Sequence, residues 1–276
     1  MNDSTRPTHP EDLKDPEGSE ARSEVPDRIQ DGAAARLADT TRLLRSAKRD
    51  LDEANDALAF HARHASHDLQ APLKNILALM DLCDLEEGVP AAVTTDLQLI
   101  RDEVGRMLGM IGGVLEFTRC SQAPMETATV DLEACCAAAV GALDPLIERT
   151  GTALRVGALP RVEGDAALLQ LALQHLLENG IRYQPAGQRP ELQVSAREEQ
   201  GQVLLEVSDN GIGLDEGSAE LAFRPLGRLH PSDQYEGEGL GLAIARKVAR
   251  RHGGEVTYRS TPGEGATFVV TLPRTP

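Results

Sequence analysis

Tryptophan is absent from the 276 residues, and the aromatic side chains amount to four Phe and three Tyr. The core must therefore be built from Leu, Val, Ile and Ala. Cysteine is scarce too: Cys83, Cys120, Cys135 and Cys136 show neither CxxC spacing nor the density of a secreted scaffold, so free thiols are expected. Positive charge is short, with 28 Lys and Arg against 44 Asp and Glu, a formal balance of −16. With no basic block longer than a few residues, unaided binding to nucleic acid or an anionic membrane is excluded. No apolar run reaches the roughly 20 residues that span a bilayer, and Met1-Asn2-Asp3-Ser4 lacks the basic-then-apolar order of a signal peptide. No direct membrane insertion and a cytoplasmic location follow as expectations. Length is not lacking: at about 150 residues per domain the chain holds roughly two.

Residues 1–32 mix Pro7, Pro10, Pro16 and Pro26 with nine acidic side chains and few large apolar ones. Such a stretch cannot offset its ordering entropy and reads as a disordered acidic tail. From Ala33 the texture changes. Leu37, Leu44, Leu51, Leu58 and Ala65 recur every seventh residue, with Thr40, Ala47 and Ala54 three positions after the first three leucines, which is a coiled-coil seam. After a turn-like Glu86-Glu87-Gly88-Val89-Pro90, spacings of four and three return at Val93, Leu97, Ile100, Val104, Met107, Ile111 and Val114. Two such helices make a hairpin whose apolar stripe is half uncovered. Two hairpins about a two-fold axis close a four-helix bundle, so a homodimer is expected.

The remainder alternates helix and strand texture. Asp131 caps a helix predicted to run to about Arg149. Asp165 caps another, with Leu168, Leu169, Ala172, Leu173, Leu176, Leu177 and Ile181 on one face. Strands are predicted at Leu192 to Ala196, Val203 to Ser208, Val256 to Tyr258 and Thr267 to Leu272, giving an α/β layer domain. Its most informative feature is a set of glycine clusters at element ends. Asp209-Asn210-Gly211-Ile212-Gly213 follows an apolar strand, and Gly237-Glu238-Gly239-Leu240-Gly241 opens a helix. Backbone N–H groups at a glycine-rich helix start close on an anion, where the helix dipole also favours negative charge. Asn179 lies on a third element, and its amide oxygen suits Mg2+, an ion that shares its shell with phosphates.

With these motifs in place, the chain over about residues 55–274 resembles the catalytic core of a sensor histidine kinase. The C-terminal block resembles the α/β-sandwich ATP-binding domain that such kinases share with gyrase, Hsp90 and MutL. Leu176-Leu177-Glu178-Asn179-Gly180-Ile181-Arg182-Tyr183 is similar to the family's Asn-box. Asp209 to Leu214 and Gly239 to Ile244 are similar to its two glycine boxes, Phe223-Arg224-Pro225-Leu226 to its Phe-box, and Gly263 to Phe268 to its closing segment. The resemblance implies roles for individual residues. Asp209 accepts the adenine amino group, and Asn179 holds Mg2+. Arg182 stands where Lys is usual and contacts phosphate, with Tyr183 beside it. Gly211, Gly213, Gly239 and Gly241 belong to the ATP cradle, and residues from about Leu214 to Glu238 form a lid in which Arg228 is a phosphate contact.

The hairpin supplies the acceptor. Ser66-His67-Asp68-Leu69-Gln70-Ala71-Pro72-Leu73 resembles the family's phosphoacceptor box. An imidazole is nucleophilic near neutral pH when one nitrogen is deprotonated and the other is held by an acceptor, here Asp68. His67 falls two positions after the seam residue Ala65 and so points outward, and Pro72 is expected to kink the helix just past it. His61, His64 and His67 are spaced by three, but drift around the helix without a completing carboxylate and cysteine set, so a metal site is disfavoured. Departures from the family pattern are His175 where kinases usually carry Asn, Glu238 where a small hydroxyl residue is usual, and Ala71 where phosphatase-competent relatives carry Thr or Asn. Ala71 implies poor phosphatase activity.

The reading is a multidomain α plus α/β protein with a tail (1–32), a coiled coil and dimerisation and phosphotransfer hairpin (33–125) and an ATP-binding domain (126–276). It implies an ATP- and Mg2+-dependent homodimeric protein-histidine kinase that phosphorylates His67 and passes the phosphoryl group to an Asp of a response-regulator receiver domain on a separate chain. A separate sensor or input protein is a possible further partner. The alternative, motivated by His175 and Glu238, is a dimeric histidine phosphotransfer adaptor whose sandwich has lost ATP.

Overall fold

A computed structural model describes residues 41–43, 45–48, 62, 64–81, 83, 90–215, 217, 219–227, 235 and 237–274. The chain divides into two compact units, Met1–Ala57 and Leu58–Pro276. In the first, residues 41–43 and 45–48 are helical. The acidic tail, the seam residues Leu37, Leu44, Leu51 and Leu58, and Glu86 to Val89 lie outside the described residues.

The second unit starts with two helices, α1 (64–81) and α2 (Ala91–Gln122). Arg101 of α2 donates to Asp81 of α1 at 3.0 Å. The helical assignment of α1 runs through Pro72 without interruption. The heptad frame needs one correction: Ala65 is exposed, and the buried stripe of α1 is Ser66, Leu73 and Met80, one position later. The frame carried down from Leu37 thus marks a different face of α1. On α2 Val104 is buried, while Val93, Ile100 and Met107 remain exposed together with Leu69, Ile76 and Leu79 of α1.

A mixed sheet follows. Its strands are β2 (Ala153–Val156), β4 (Glu191–Glu199), β5 (Gln202–Asp209), β6 (Val256–Thr261) and β7 (Gly265–Pro273), in the order β2-β4-β5-β7-β6. Only β2 and β4 run parallel. A separate pair, β1 (Ala128–Asp131) and β3 (Arg161–Gly164), is antiparallel. On β5 the alternation is regular: Val203, Leu205 and Val207 are buried, and Glu206 pairs with Arg197 and Arg259. Helices α3 (Leu132–Ala142), α5 (Ala166–Arg182) and α7 (Gly241–Arg251) share one core with the sheet; α4 (Asp144–Thr150) and the short α6 (Ala219–Ala222) complete the set. The helix predicted from Asp131 to Arg149 is two helices. Pro145, in the first turn of α4, has no N–H to carry the α3 ladder through Leu143, so the chain restarts there.

Helix α5 buries Leu169, Leu173, Leu176 and Leu177 almost completely, and α7 buries Ile244, Val248 and Ala249 beside them. Asp165 joins their ends. Its Oδ1 accepts from the N–H groups of Ala167 and Leu168, its other oxygen accepts from Glu126 N–H, and its own N–H donates to Nε2 of buried His252 at 2.9 Å. The second ring nitrogen of His252 lies 2.8 Å from Val248 O, so the neutral tautomer with the proton on Nδ1 satisfies both contacts. Burial alone would raise the Asp165 pKa, but the backbone donors of Glu126, Leu168 and Ala167 bring it below the ordinary carboxylate value. A group depressed in the fold stabilises above its unfolded value, near 4, and that contribution fades as pH falls through the folded one. Asp165→Ala is therefore expected to cost about 1–2 kcal/mol at pH 7 in urea titration, with the gap from wild type narrowing below about pH 4.

Candidate nucleotide site

One end of α5, the end of β5 and the start of α7 surround a cavity of about 750 Å3. Gly180 explains how closely these elements meet: a methyl group there would stand 2.7 Å from Leu192 Cδ2 and 3.1 Å from Asp209 Cβ. Only a glycine lets α5 lie this close to β4 and β5, which places Asn179 and Asp209 on the same cavity. Asp209 Oδ1 accepts from Gly211 N–H at 2.8 Å and from Ala266 N–H at 3.2 Å. Burial pushes the Asp209 carboxyl up from its ordinary value, and these two donors partly oppose the rise.

Gly213, Gly239 and Gly241 border the cavity as expected from the sequence, with positive φ of 70° at Gly213 and 73° at Gly239. Gly211 is placed differently. It does not line the cavity, and its N–H is committed to Asp209, so it orients the carboxylate. The first turn of α7 receives no side-chain cap and carries no acidic residue, which leaves its leading N–H groups and positive dipole end at the cavity. Arg182 and Tyr183 close the other side. Arg182 Nε and Nη2 both donate to Glu178 Oε1, at 3.0 and 2.7 Å, and Tyr183 stacks at a tilt on Tyr235 with ring centres 5.5 Å apart. Arg228 lies outside the described residues, as does part of the lid segment. At the base of that segment Phe223 is buried, edge-on to Phe268 at 6.4 Å, with the Arg246 guanidinium 5.3 Å from its ring centre.

Two residues marked only as departures, His175 and Glu238, turn out to touch α2. His175 Nε2 lies 2.8 Å from a carboxylate oxygen of Glu116. Glu238 and Leu240 pack on glycines of α2: a methyl group on Gly113 would meet Leu240 Cδ1 at 2.5 Å and Glu238 Oε2 at 2.9 Å, and one on Gly109 would overlap the Glu238 carboxylate. Burial, then the neighbouring Glu178, raises the Glu238 pKa. Arg251 donates to the carbonyls of Cys120 and Ala123 at the end of α2. Helix periodicity offered no signal that this face of α2 would be the far wall of the cavity.

His67 and Asp68 sit on α1, away from the cavity lining, with side chains 84% and 80% exposed. His67 Nδ1 is 3.4 Å from Asp68 Oδ1. Cys120, Cys135 and Cys136 are buried free thiols, and burial pushes Cys120 up to about 11, far from nucleophilic at neutral pH. Among the described residues no group of three His, Cys, Asp or Glu could hold a metal ion, and no helix is long and apolar enough to cross a membrane.

Residues 164–276 match the family model described as histidine kinase-, DNA gyrase B-, and HSP90-like ATPase. Phytochrome-like protein Cph1 of Synechocystis sp. is 30% identical over 89% of this chain and 34% of its own length. Adaptive-response sensory kinase SasA of a Synechococcus strain is 32% identical over 87% of this chain and 66% of its own. Sensor-like histidine kinase SenX3 of Mycolicibacterium smegmatis is 29% identical over 77% of this chain and 56% of its own. The chain thus spans about a third of the first relative and under two thirds of the others. In fold, full-length ShkA crystallised with AMPPNP superposes with a TM-score of 0.59 at 24% identity, covering 77% of this chain and 45% of that one. The Acinetobacter baumannii histidine kinase AdeS gives 0.52 at 17% identity, covering 76% and 98%.

Proposed function

From a chain that belongs to the sensor histidine kinases, with residues 164–276 forming their ATPase-type domain, we propose an ATP-dependent protein-histidine kinase that phosphorylates its own His67. The observation that carries the proposal is the convergence of Asn179, Asp209, Gly239 and Gly241 on one cavity at an uncapped helix start, in a chain whose hairpin presents an exposed imidazole beside a carboxylate.

Asp209 accepts the adenine amino group through the oxygen not given to Gly211 and Ala266. The N–H groups around Gly239 and Gly241 and the first turn of α7 hold phosphate oxygens. Asn179 fits magnesium: its amide oxygen is a hard ligand at the cavity, beside Gly241. The ion is one that shares its shell with the phosphates of the nucleotide. When bound it neutralises charge on the triphosphate. His67 attacks the γ-phosphorus through Nε2 while Asp68 holds the proton on Nδ1; the N–P bond forms as the bond to the β-phosphate oxygen breaks and ADP leaves.

The geometry sets a condition on that transfer. With Asp81 opposite Arg101 in an antiparallel hairpin, His67, fourteen residues earlier, lies opposite about residue 115, six residues or roughly 9 Å along the axis beyond Gly109 at 1.5 Å per residue. The α2 wall of the cavity runs from Leu99 to Gly109. Delivery asks the γ-phosphoryl group and an imidazole to close that separation, by a shift of the ATP-binding domain along the hairpin or by use of His67 of a second subunit. The exposed apolar side chains of α1 and α2 supply the surface for a homodimeric four-helix bundle. We assign residues 33–125 to dimerisation and phosphotransfer and 126–276 to ATP binding, in a cytoplasmic setting. The phosphoramidate passes onward to an Asp of a response-regulator receiver domain, and Arg228 is retained as a candidate phosphate contact.

Incubation with γ-labelled ATP and magnesium should give an acid-labile, base-stable label on the full chain. Asp209→Asn should weaken Mg-ATP binding by about tenfold or more by calorimetry, because it replaces an acceptor by a donor at the adenine amino group. A second reading, the phosphotransfer adaptor, is favoured by the Glu238 and Glu178 carboxylates beside the phosphate cradle. It is recognised by a chain that takes label from a phosphorylated regulator but neither binds Mg-ATP nor labels itself with it.

A further inference from the structure

The cavity has a wall that none of the glycine or Asn motifs supplies. Leu99, Asp102, Gly105, Arg106 and Gly109 of α2 border it, and their spacing of three, three, one and three puts them on one helical face. The contacts of Glu116, Gly109, Gly113 and the end of α2 with His175, Glu238, Leu240 and Arg251 hold that face against the ATP-binding domain.

The charge around the cavity leaves a requirement unmet. Asp102, Glu178, Asp209 and Glu238 bring four carboxylates to a site proposed to take a triphosphate. Among the described residues three guanidiniums face them. Arg182 gives two hydrogen bonds to Glu178, on its own helix one turn back, with both side chains largely covered. Arg101 bridges to Asp81 of α1 and so is tied to the hairpin. Among the described residues Arg106 bonds across one turn to Glu103, with side chains 47% and 56% exposed. An exposed ion pair between neighbouring turns is weak, because water competes for both partners. Arg106 is therefore the guanidinium that exchanges its carboxylate for a phosphate at least cost, and its planar fork suits phosphate oxygens.

We propose that Arg106 contacts the phosphates of the bound nucleotide, so that the helical hairpin completes the nucleotide site of the ATP-binding domain. The inference rests on the ATP reading above and adds to it a binding residue outside the ATPase domain. It also gives α2 a reason to prefer the loaded domain: a nucleotide that bonds Arg106 binds the docked arrangement more tightly than an undocked one.

The test is calorimetry on the full chain with Mg-ATP and, separately, with adenosine. Arg106→Ala should weaken Mg-ATP about tenfold, the loss of one charge-assisted contact, and leave adenosine within about twofold. Arg106→Lys should recover part of the Mg-ATP affinity, keeping the charge without the fork. Mg-ATP affinity within about twofold of wild type in Arg106→Ala overturns the assignment; so does a loss of adenosine by the same factor as ATP, which would mean that the substitution only loosens α2. Wild-type protein that binds no Mg-ATP at all overturns the nucleotide reading and Arg106 with it, whereas tight wild-type binding unchanged in Arg106→Ala removes Arg106 alone.

Discussion

His67→Gln should abolish self-labelling by γ-labelled ATP, by at least about a hundredfold, while Mg-ATP affinity stays within about twofold of wild type. Glutamine keeps the reach of the side chain and a polar tip but has no lone pair basic enough to attack phosphorus. The substitution is mild for the fold, because the His67 side chain is 84% exposed and faces the adjacent Asp68; exposed replacements of this kind stay within about 0.5 kcal/mol. Binding is spared because His67 is not among the residues around the cavity. The measurement pairs acid- and base-stability of the label with a binding isotherm on the same preparation. Label that survives the substitution would place the acceptor elsewhere and break the link drawn here between hairpin and cavity.

Gly180→Val should damage fold and site together. The first added carbon already falls 2.7 Å from Leu192 Cδ2 and 3.1 Å from Asp209 Cβ, and the two methyl groups have no space behind it, since Leu192 is itself buried. Overpacking of this kind costs about 1–3 kcal/mol, against a gain of a few tenths from removing a helix glycine. Because the clash pushes on Asp209, Mg-ATP affinity should fall by more than about tenfold even at temperatures where the domain stays folded. Urea titration gives the first effect and calorimetry the second. An unchanged midpoint would show that α5 can move off the sheet freely, and unchanged affinity that Asp209 tolerates the shift.

Much of the candidate site was legible in the residues. Asn179, Asp209, Gly213, Gly239 and Gly241 were marked by local chemistry, a strand ending in a carboxylate and a helix opening on glycines, and they do border one cavity. The four longer strands were legible for the same reason: each carries its own apolar signal. Strands β1, β2 and β3 were not. Each is four residues long, with one or two buried side chains at most, so only pairing with a partner defines them. The break at Leu143 was readable from Pro145 and the pattern of the predicted helix ran over it. Gly211 was grouped with the cradle glycines because its motif is glycine-rich, yet its N–H is directed at Asp209. His175 and Glu238 stood out as departures without showing what they would touch.

By itself the sequence determined the elements whose cause lies within a turn or two: the capped helices, the glycine turns and the acid at the end of β5. Tertiary structure alone decided that α2 closes the cavity, that Gly109 and Gly113 make room for Glu238 and Leu240, and that Arg106 faces the same cavity as Asn179 and Asp209. Periodicity says which residues share a helix face but not which face meets which neighbour. That choice is made by packing between segments dozens of residues apart, and no local pattern encodes it.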